Sequence, residues 1–318
     1  MSRILVTGGA GFIGSHLVVD LLSAGHDVRI LDNFSTGHRR NLDEVIDDVE
    51  LVEGDLRSYE RVHHSVRGCE FVLHQGALPS VPRSIQDPLA SSEINVGGTL
   101  NVVLAARDEE VRRVVFASSS SVYGDGPGFP RREDMAPRPL APYAVSKLAA
   151  EQYCQVATRV YGVETVSLRY FNVFGARQDP FSEYSAVIPR FIRSLAAGEP
   201  PTIYGTGEQS RDFTHVANVV AGNLLAMVAP EAAGQVMNLA CGEEQSLIAL
   251  VGVLGELMAV DVEPRHEPAR AGDVPRSVAD ISAARSLLGY EPQVAFREGL
   301  ARTVDWFTSA AGQAASVG

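Results

Sequence analysis

Two side chains in the middle of the sequence have the chemistry and spacing of an acid/base pair. Tyr143 and Lys147 stand four residues apart, so they share one face of a helix. The lysine ammonium then favours the ionised form of the phenol. A free tyrosine has a pKa of about 10, and lowering it to about 7 requires roughly 4 kcal/mol of differential stabilisation. A lysine and an adjacent cationic cofactor ring can together supply this.

A run of serines upstream offers a hydroxyl for the same chemistry. It lies in Phe116-Ala117-Ser118-Ser119-Ser120-Ser121-Val122-Tyr123-Gly124, and one of these hydroxyls can bridge the phenolate and a substrate oxygen. A tyrosine and a lysine at this spacing also occur on ordinary amphipathic helices. The serine run and a glycine-rich segment near the N-terminus favour the catalytic interpretation.

The glycine-rich segment predicts a dinucleotide site. A short apolar strand at 4–6 leads into Gly8-Gly9-Ala10-Gly11-Phe12-Ile13-Gly14, then a helical pattern over 15–24 and a second strand at 28–31. Such glycines let the backbone approach a pyrophosphate at a helix N-terminus. Asp32 follows the second strand, where a carboxylate accepts hydrogen bonds from an adenosine ribose and repels a 2'-phosphate. NAD is therefore favoured over NADP. Arg39 and Arg40 could instead accommodate NADP, but they are interpreted as solvated loop charges.

Strands and helices continue to alternate through the first half of the chain. Further strands are predicted at 49–53, 71–74, 114–117 and 163–169, and helices at 87–107 and 142–161. This alternation predicts an α/β fold with a doubly wound parallel sheet of the Rossmann type. Ligands bind such a sheet at the carboxyl ends of its strands.

The pattern loosens after residue 172. Helices are predicted at 186–197, 217–228, 246–258 and 297–308, separated by longer loops. We expect a cofactor domain over 1–172 and a smaller α/β substrate-binding lobe over 173–318, with some interleaving of the chain. The lobe would form the second wall of a cleft.

Composition narrows the class of protein. The 318 residues are 45% hydrophobic and 21% charged, as in ordinary globular proteins, and the net charge of -12 argues against nucleic acid as a partner. The three cysteines are far apart, and the histidines lack metal-ligand spacing. No apolar run is long enough to span a bilayer. The first nine residues are interpreted as a strand and turn and not as a signal peptide. The sequence therefore predicts a cytoplasmic protein without a metal.

Four motifs together carry a family resemblance. They are the glycine segment 8–14, Ser119 with Val122-Tyr123-Gly124, Tyr143 with Lys147, and Leu168-Arg169-Tyr170-Phe171-Asn172. In combination, the sequence resembles the extended short-chain dehydrogenases/reductases along nearly its whole length, and among them the nucleotide-sugar 4-epimerases. The segments 81–85 and 168–180 are most similar to UDP-N-acetylglucosamine 4-epimerases.

The resemblance implies a role for each matching residue. Ser119, Tyr143 and Lys147 would form a catalytic triad in which Tyr143 is the acid/base. NAD would be held by Gly8, Gly11, Phe12, Ile13, Gly14, Asp32, Asn33, Ser35, Asp55, Leu56, Gln75, Ala77, Asn95, Tyr143, Lys147 and Tyr170. The UDP-sugar would contact Ser120, Ser121, Asn172, Gln178, Ala186, Val187, Tyr204, Arg211, Arg270, Asp273 and Ser277. In the implied reaction NAD transiently oxidises C4 of the sugar, and the hydride returns to the opposite face.

Two of these residues also suit their role on chemical grounds. Arg211 and Arg270 match a diphosphate, because a guanidinium binds two phosphate oxygens at once. The alternative is ordinary ion pairing with Asp212 and Asp273.

The choice of sugar depends on Ser277. The resemblance places this residue against the C2 substituent, where epimerases limited to unacetylated sugars tend to carry tyrosine. We expect interconversion of UDP-N-acetylglucosamine and UDP-N-acetylgalactosamine, and also activity on UDP-glucose and UDP-galactose. An enzyme confined to UDP-glucose/UDP-galactose, or one for UDP-glucuronic acid, stays an alternative. Pro79 stands where related enzymes often have glycine or lysine, which leaves the fit around the sugar hydroxyls open.

Two other functions fit the sequence less well than epimerisation. A 4,6-dehydratase of this family has an Asp-Glu pair directly after the triad hydroxyl, where this chain has Ser120 and Ser121. Serine cannot replace a carboxylate acid/base. A non-catalytic dinucleotide-binding protein would be expected to lose the tyrosine or the lysine. The resemblance also implies a homodimer through helices 87–107 and 142–161, the alternative being that these faces are buried within one chain.

Overall fold

Strands and helices alternate along most of the chain in the computed structural model, which describes residues 1–179, 186–269 and 274–309. The strands are β1 (Arg3–Thr7), β2 (Asp27–Asp32), β3 (Glu50–Glu53), β4 (Phe71–His74), β5 (Arg113–Ser119), β6 (Glu164–Tyr170), β7 (Val173–Phe174), β8 (Thr202–Tyr204), β9 (Ser210–Arg211), β10 (Thr214–His215), β11 (Val236–Leu239), β12 (Gln245–Ser246), β13 (Arg265–Glu267) and β14 (Arg276–Ser277). The helices are α1 (Phe12–Ser23), α2 (Tyr59–Val66), α3 (Val81–Gln86), α4 (Pro88–Ser92), α5 (Gly98–Asp108), α6 (Pro142–Tyr161), α7 (Val187–Ala196), α8 (Val216–Val228), α9 (Leu247–Met258), α10 (Ser282–Leu288) and α11 (Phe296–Thr308).

Seven parallel strands form the main sheet in the order β11-β6-β5-β4-β1-β2-β3. Side chains alternate between its two faces, as the strand period requires. Ile4 and Val6 pack with the core that contains Leu17 of α1 and Val219 of α8, whereas Leu5 packs with Val102 of α5 on the other side. The predicted doubly wound parallel sheet is therefore confirmed.

The strand order reverses between β1 and β4, because β1 pairs with both β2 and β4. At such a reversal the connections leave the sheet on opposite faces, and a crevice opens at the carboxyl ends of the strands. The glycine turn follows β1, and the serine run lies at the end of β5. Both therefore lie at the carboxyl ends of the strands, where a ligand is expected.

A second core lies in the later part of the chain. Phe174, Ile192, Phe213, Leu250 and Leu300 bring α7, α9 and α11 together. Small sheets of two or three strands border this core. The chain does not stay in this lobe, since α8 and β11 lie beyond residue 172 and yet pack on or in the main sheet.

Several predicted elements agree closely with the structure. Both β4 and α6 have the predicted bounds, whereas β11 was missed. The predicted helix 87–107 consists of α4, a π-helical turn at Glu93–Gly97 and α5. Helix α1 begins three residues earlier than predicted, at Phe12. Its N-terminus therefore directly follows the glycine turn.

None of the helices described is long and apolar enough to cross a membrane. The described residues also contain no group of three or more His, Cys, Asp or Glu side chains that could hold a metal ion.

Candidate active site

Three residues predicted to act together are positioned by two elements, β5 and α6. Ser119 is the last residue of β5, Tyr143 is the second residue of α6, and Lys147 follows one helical turn later. Lys147 is buried, and its Nζ donates to the Ala117 carbonyl at 2.8 Å. The lysine thus ties the helix to the strand that ends at Ser119.

The electrostatics of the phenol differ from the first expectation. Burial raises the pKa of Tyr143 to about 12, although a hydrogen bond with the Ser119 side chain lowers it in part. Burial also lowers the pKa of the Lys147 ammonium to about 8. Within the protein alone, desolvation of the phenol outweighs the hydrogen bond with Ser119. Ionisation of Tyr143 near neutral pH therefore requires a further positive charge.

The hydroxyl of Ser119 is oriented by its neighbour in the serine run. It accepts hydrogen bonds from the Ser121 amide at 3.2 Å and from the Ser121 hydroxyl at 2.9 Å. A serine oxygen has two acceptor positions and one proton. With both acceptor positions used, the Ser119 proton is directed toward another partner, such as the Tyr143 phenolate. Ser120 follows in a half-buried position.

The turn after β1 forms a cradle of closely packed backbone in which side chains on two of its glycines would clash. Gly8 has a φ of +68°, and a Cβ there would lie 2.8 Å from the Gly76 Cα. A Cβ on Gly14 would lie 2.1 Å from the Gly8 carbonyl oxygen. The Gly11 amide donates to that same carbonyl at 3.0 Å, and Phe12 and Ile13 open α1. The close-packed backbone at a helix N-terminus fits a pyrophosphate.

Asp32 lies beside this cradle at the end of β2. Its carboxylate accepts from the Ala10 amide at 2.9 Å and from the Phe34 amide at 2.8 Å, and burial raises its pKa. The group therefore holds the glycine turn and can also receive a ribose hydroxyl. Arg39, the cation that could have favoured NADP, is paired with Glu53 and stacks 4.1 Å over the Phe34 ring.

A second polar cluster lies next to Asp32. The Asn33 side chain donates to Asp55 at 3.0 Å and accepts from the Ser35 amide at 3.1 Å. Hydrogen bonds from Arg57 hold the pKa of Asp55 at about 2, so its carboxylate is ionised at neutral pH. Leu56 is buried, and it lies so close to Gly76 that a Cβ there would meet its Cδ1 at 2.9 Å.

The strand end of β4 is joined to the neighbouring strand and helix by side chains. The Gln75 amide donates to the Tyr170 hydroxyl at 3.1 Å, and that hydroxyl donates to Asn223 at 2.9 Å. Asn95, in the π-helical turn, accepts from the Leu78 amide at 2.7 Å. Ala77 lies half-buried between these two contacts, whereas Pro79 is exposed. Asn223 was not singled out from the sequence, because it lies within an apolar helix.

Apart from Ser120 and Ser121, which follow β5, the predicted substrate residues that the structure describes lie in the later lobe and at its border. Arg211 on β9 is the register partner of Ser277 on β14. The buried Asp212 carboxylate accepts from the amides of Cys241 at 2.9 Å, Gly242 at 2.9 Å and Ala279 at 3.2 Å, and burial raises its pKa to about 6. Asp212 thus joins three loop segments around the Arg211–Ser277 pair.

The remaining substrate predictions are distributed around this pair. Asn172 donates to the Asp212 carbonyl at 3.4 Å and has a φ of +33°. Ala186 and Val187 begin α7, and Tyr204 ends β8. The side-chain amide of Gln178 donates to the Val173 carbonyl at 3.1 Å, while its buried oxygen has no partner within residues 1–179, 186–269 and 274–309. Arg270 and Asp273 lie outside the described residues.

The chain is similar to known proteins along nearly its whole length. The profile of the NAD dependent epimerase/dehydratase family matches residues 4–240. A UDP-glucose 4-epimerase of Mycolicibacterium smegmatis is 40% identical over 96% of this chain and 98% of its own length.

Two solved structures are also similar. The UDP-N-acetylglucosamine 4-epimerase of Methanobrevibacter ruminantium, in complex with UDP-N-acetylmuramic acid, superposes with a TM-score of 0.92 and 37% identity, covering 96% of this chain and 98% of that chain. The UDP-glucose 4-epimerase of Thermotoga maritima with UDP-glucose gives a TM-score of 0.91 and 36% identity, with the same coverage of 96% and 98%.

Proposed function

The chain belongs to the NAD dependent epimerase/dehydratase family, and we propose that it is an NAD-dependent UDP-sugar 4-epimerase. The observation that carries this proposal is the arrangement of Ser119, Tyr143 and Lys147 where β5 meets α6. No carboxylate follows the triad serine, because Ser120 and Ser121 occupy those positions. The site therefore has an acid/base for O4 of a sugar but lacks the acidic pair that a 4,6-dehydratase needs.

Each member of the triad has a defined task in this proposal. When bound, NAD would provide hydride-transfer chemistry at C4, and its cationic ring would provide the positive charge that Tyr143 requires. Tyr143 accepts the proton of the sugar O4 hydroxyl and later returns it. Ser119 donates to the phenolate or to the substrate oxygen, and Lys147 holds α6 against the end of β5.

We further propose that the preferred substrates are UDP-N-acetylglucosamine and UDP-N-acetylgalactosamine, with activity also on the unacetylated pair. Ser277 is small and half-buried, and its register partner Arg211 is the residue expected to bind the diphosphate. A C2 acetamido group beside a serine has space that a tyrosine ring would fill. The buried oxygen of Gln178 can accept the acetamido N–H, since an unpaired buried acceptor is costly.

The test is to assay purified protein separately with four substrates, UDP-N-acetylglucosamine, UDP-glucose, UDP-galactose and UDP-glucuronic acid, and to resolve each from its C4 epimer. We expect turnover of the acetylated pair and slower turnover of the unacetylated pair. Ser277→Tyr should reduce activity on the acetylated pair by about ten- to a hundredfold, because overpacking costs roughly 1–3 kcal/mol. The unacetylated pair is the internal control. Equal losses on both pairs would refute the role of Ser277, and activity confined to UDP-glucuronic acid would refute the substrate.

We also propose that the protein is a homodimer through α6 and the helix before it. Val145, Val156 and Val160 form an apolar stripe on the outer face of α6, exposed by 52%, 45% and 65%, and Leu89 on α4 is exposed by 75%. Stripes of this kind mark interaction surfaces. Val156→Asp combined with Val160→Asp should give a monomer in sedimentation at micromolar concentration. The matched change Val228→Asp, at a valine 50% exposed on α8, should leave the dimer intact.

A further inference from the structure

The catalytic helix lacks a cap of its own. Its N-cap position is Ala141, which has no side chain to accept a hydrogen bond, and Pro142 follows at the first helical position. The first amides of a helix have no partner within the helix and are usually satisfied by a side chain at the N-cap. In α6 the first such amide is that of Tyr143, because proline has no N–H.

A serine from another helix supplies the missing acceptor. The Tyr143 amide donates to the Ser84 hydroxyl at 2.9 Å, and that hydroxyl donates to the Val81 carbonyl at 2.6 Å. Ser84 lies on α3 and is completely buried. Both hydrogen-bonding functions of the Ser84 hydroxyl are therefore used, one within its own helix and the other on the catalytic tyrosine.

The carbonyl of Tyr143 is held as well. It accepts from the Ser146 hydroxyl at 2.8 Å, and the Ser146 oxygen accepts from the Asn95 side chain at 2.9 Å. Asn95 also bonds to the amide of Leu78 at 2.7 Å. Ser84 of α3 thus holds the amide of Tyr143, and Ser146 of α6 holds its carbonyl. Asn95 of the π-helical turn in turn holds the Ser146 side chain.

We propose that Ser84 is a positioning residue for catalysis. As a cap supplied by a different helix, it sets the position of the Tyr143 phenol relative to Ser119 and the sugar. This inference rests on the proposed role of Tyr143. Helix α3 follows the loop that carries Gln75 and Ala77, two residues expected at the cofactor. Ser84 therefore links the cofactor side of the site to the acid/base.

The expected signature is a loss of turnover without a loss of binding. Without the Ser84 oxygen, the Tyr143 amide is a buried donor with no acceptor, and the first turn of α6 shifts to reach one. A misplacement of about 1 Å lowers rates by about a hundredfold. For Ser84→Ala we therefore expect kcat to fall about ten- to a hundredfold, with KM for the UDP-sugar and the content of bound NAD unchanged.

Three substitutions at this position separate the hydroxyl from the space it fills. Ser84→Cys keeps nearly the same volume with a poor acceptor and should also lose turnover, so it tests the proposal even where the cavity left by alanine harms folding. Ser84→Thr keeps the hydroxyl, so its kcat should be at least about tenfold higher than that of Ser84→Ala. Since the phenol moves away from Ser119, the acidic limb of the kcat–pH profile should move to higher pH in the alanine and cysteine variants.

The matched control is Ser91→Ala. Ser91 is an equally buried serine on α4, and its hydroxyl has no partner among the residues that the structure describes. It should lose no kcat. Equal kcat in Ser84→Ala, Ser91→Ala and wild type, or a loss shared by Ser84→Thr and Ser84→Ala, would overturn the inference. A fully active Tyr143→Phe variant would instead overturn the proposed function, so the two failures are distinguishable.

Discussion

Replacing Glu151 with glutamine should destabilise the fold much more than the same change at Glu164. Glu151 is fully buried on α6, where its carboxylate binds Arg169 through two hydrogen bonds of 3.0 and 2.6 Å and accepts from the Ser118 hydroxyl at 2.8 Å. Burial of the guanidinium lowers the pKa of Arg169, but Glu151 and Tyr123 together raise it by more. The arginine therefore stays charged, and Glu151 supplies the buried negative charge that compensates it.

The magnitude follows from the burial of both partners. The side chains of Arg169 and Glu151 are 4% and 0% exposed, and the Nη1 of Arg169 has no partner in the described ranges. Glutamine preserves the size of the side chain and removes its charge, which leaves a buried cation unpaired. Breaking such a pair costs about 3–5 kcal/mol. At a slope of roughly 3 kcal/mol per molar urea, the unfolding midpoint falls by about 1 to 1.7 M.

The ion pair of Arg113 and Glu164 is the matched control. Its distance is the same, 2.6 Å, and Arg113 is also buried, but the Glu164 side chain is 40% exposed. Arg113 keeps bonds to the carbonyls of Ala226, Met227 and Ala229 when the carboxylate is lost. Glu164→Gln should therefore cost about 1 kcal/mol or less.

Urea unfolding followed by circular dichroism at neutral pH compares the two variants. Equal midpoint shifts for Glu151→Gln and Glu164→Gln would refute the reasoning from burial. The double change Glu151→Leu with Arg169→Met should recover much of the loss, because a well-packed apolar pair replaces two desolvated charges.

Three further outcomes are expected. Tyr143→Phe should lower turnover by roughly 10²- to 10⁴-fold, since the proton acceptor is lost while the ring still packs; calorimetry should show unchanged UDP binding, and retained activity would contradict the acid/base role. The purified protein should release NAD on denaturation, and Asp32→Ala should release less, because it loses the ribose acceptor and the anchor of Ala10; release of NADP alone would contradict this. Burial lowers the pKa of His74 to about 3 and that of His215 to about 4. Below the ordinary histidine pKa of about 6.5, protons then bind preferentially to the unfolded chain. The free energy of unfolding should therefore fall by about 1.4 kcal/mol per pH unit per histidine as the pH drops from 6.5 toward 4. His74→Gln should show a shallower dependence of the unfolding free energy on pH, and an unchanged dependence would contradict the argument.

Much of the fold could be predicted because its signals are local. Most strands of the first half contain a short apolar run, and β1, β3 and β5 are followed directly by Gly8, Gly54 and Ser120 where the chain leaves the sheet. Gly11 and Gly14 are required by close contacts with Gly8, a few residues away. Tyr143 and Lys147 share a face because four residues make about one helical turn. These features require no knowledge of distant parts of the chain.

What the sequence determined by itself, therefore, was the alternation of elements, the parallel sheet, and the residue types from which a cofactor site and an acid/base can be built. The tertiary structure decided how they are held. Ser84 meets the Tyr143 amide across 59 residues, Asn223 meets Tyr170 across 53, and β11 joins β6 from beyond the predicted boundary at 172. The pKa of Tyr143 was likewise decided by burial rather than by its spacing from Lys147. The physical reason is that hydrogen-bond partners and desolvation depend on which segments meet in space, and a single buried serine or asparagine has no periodic pattern that would reveal its partner.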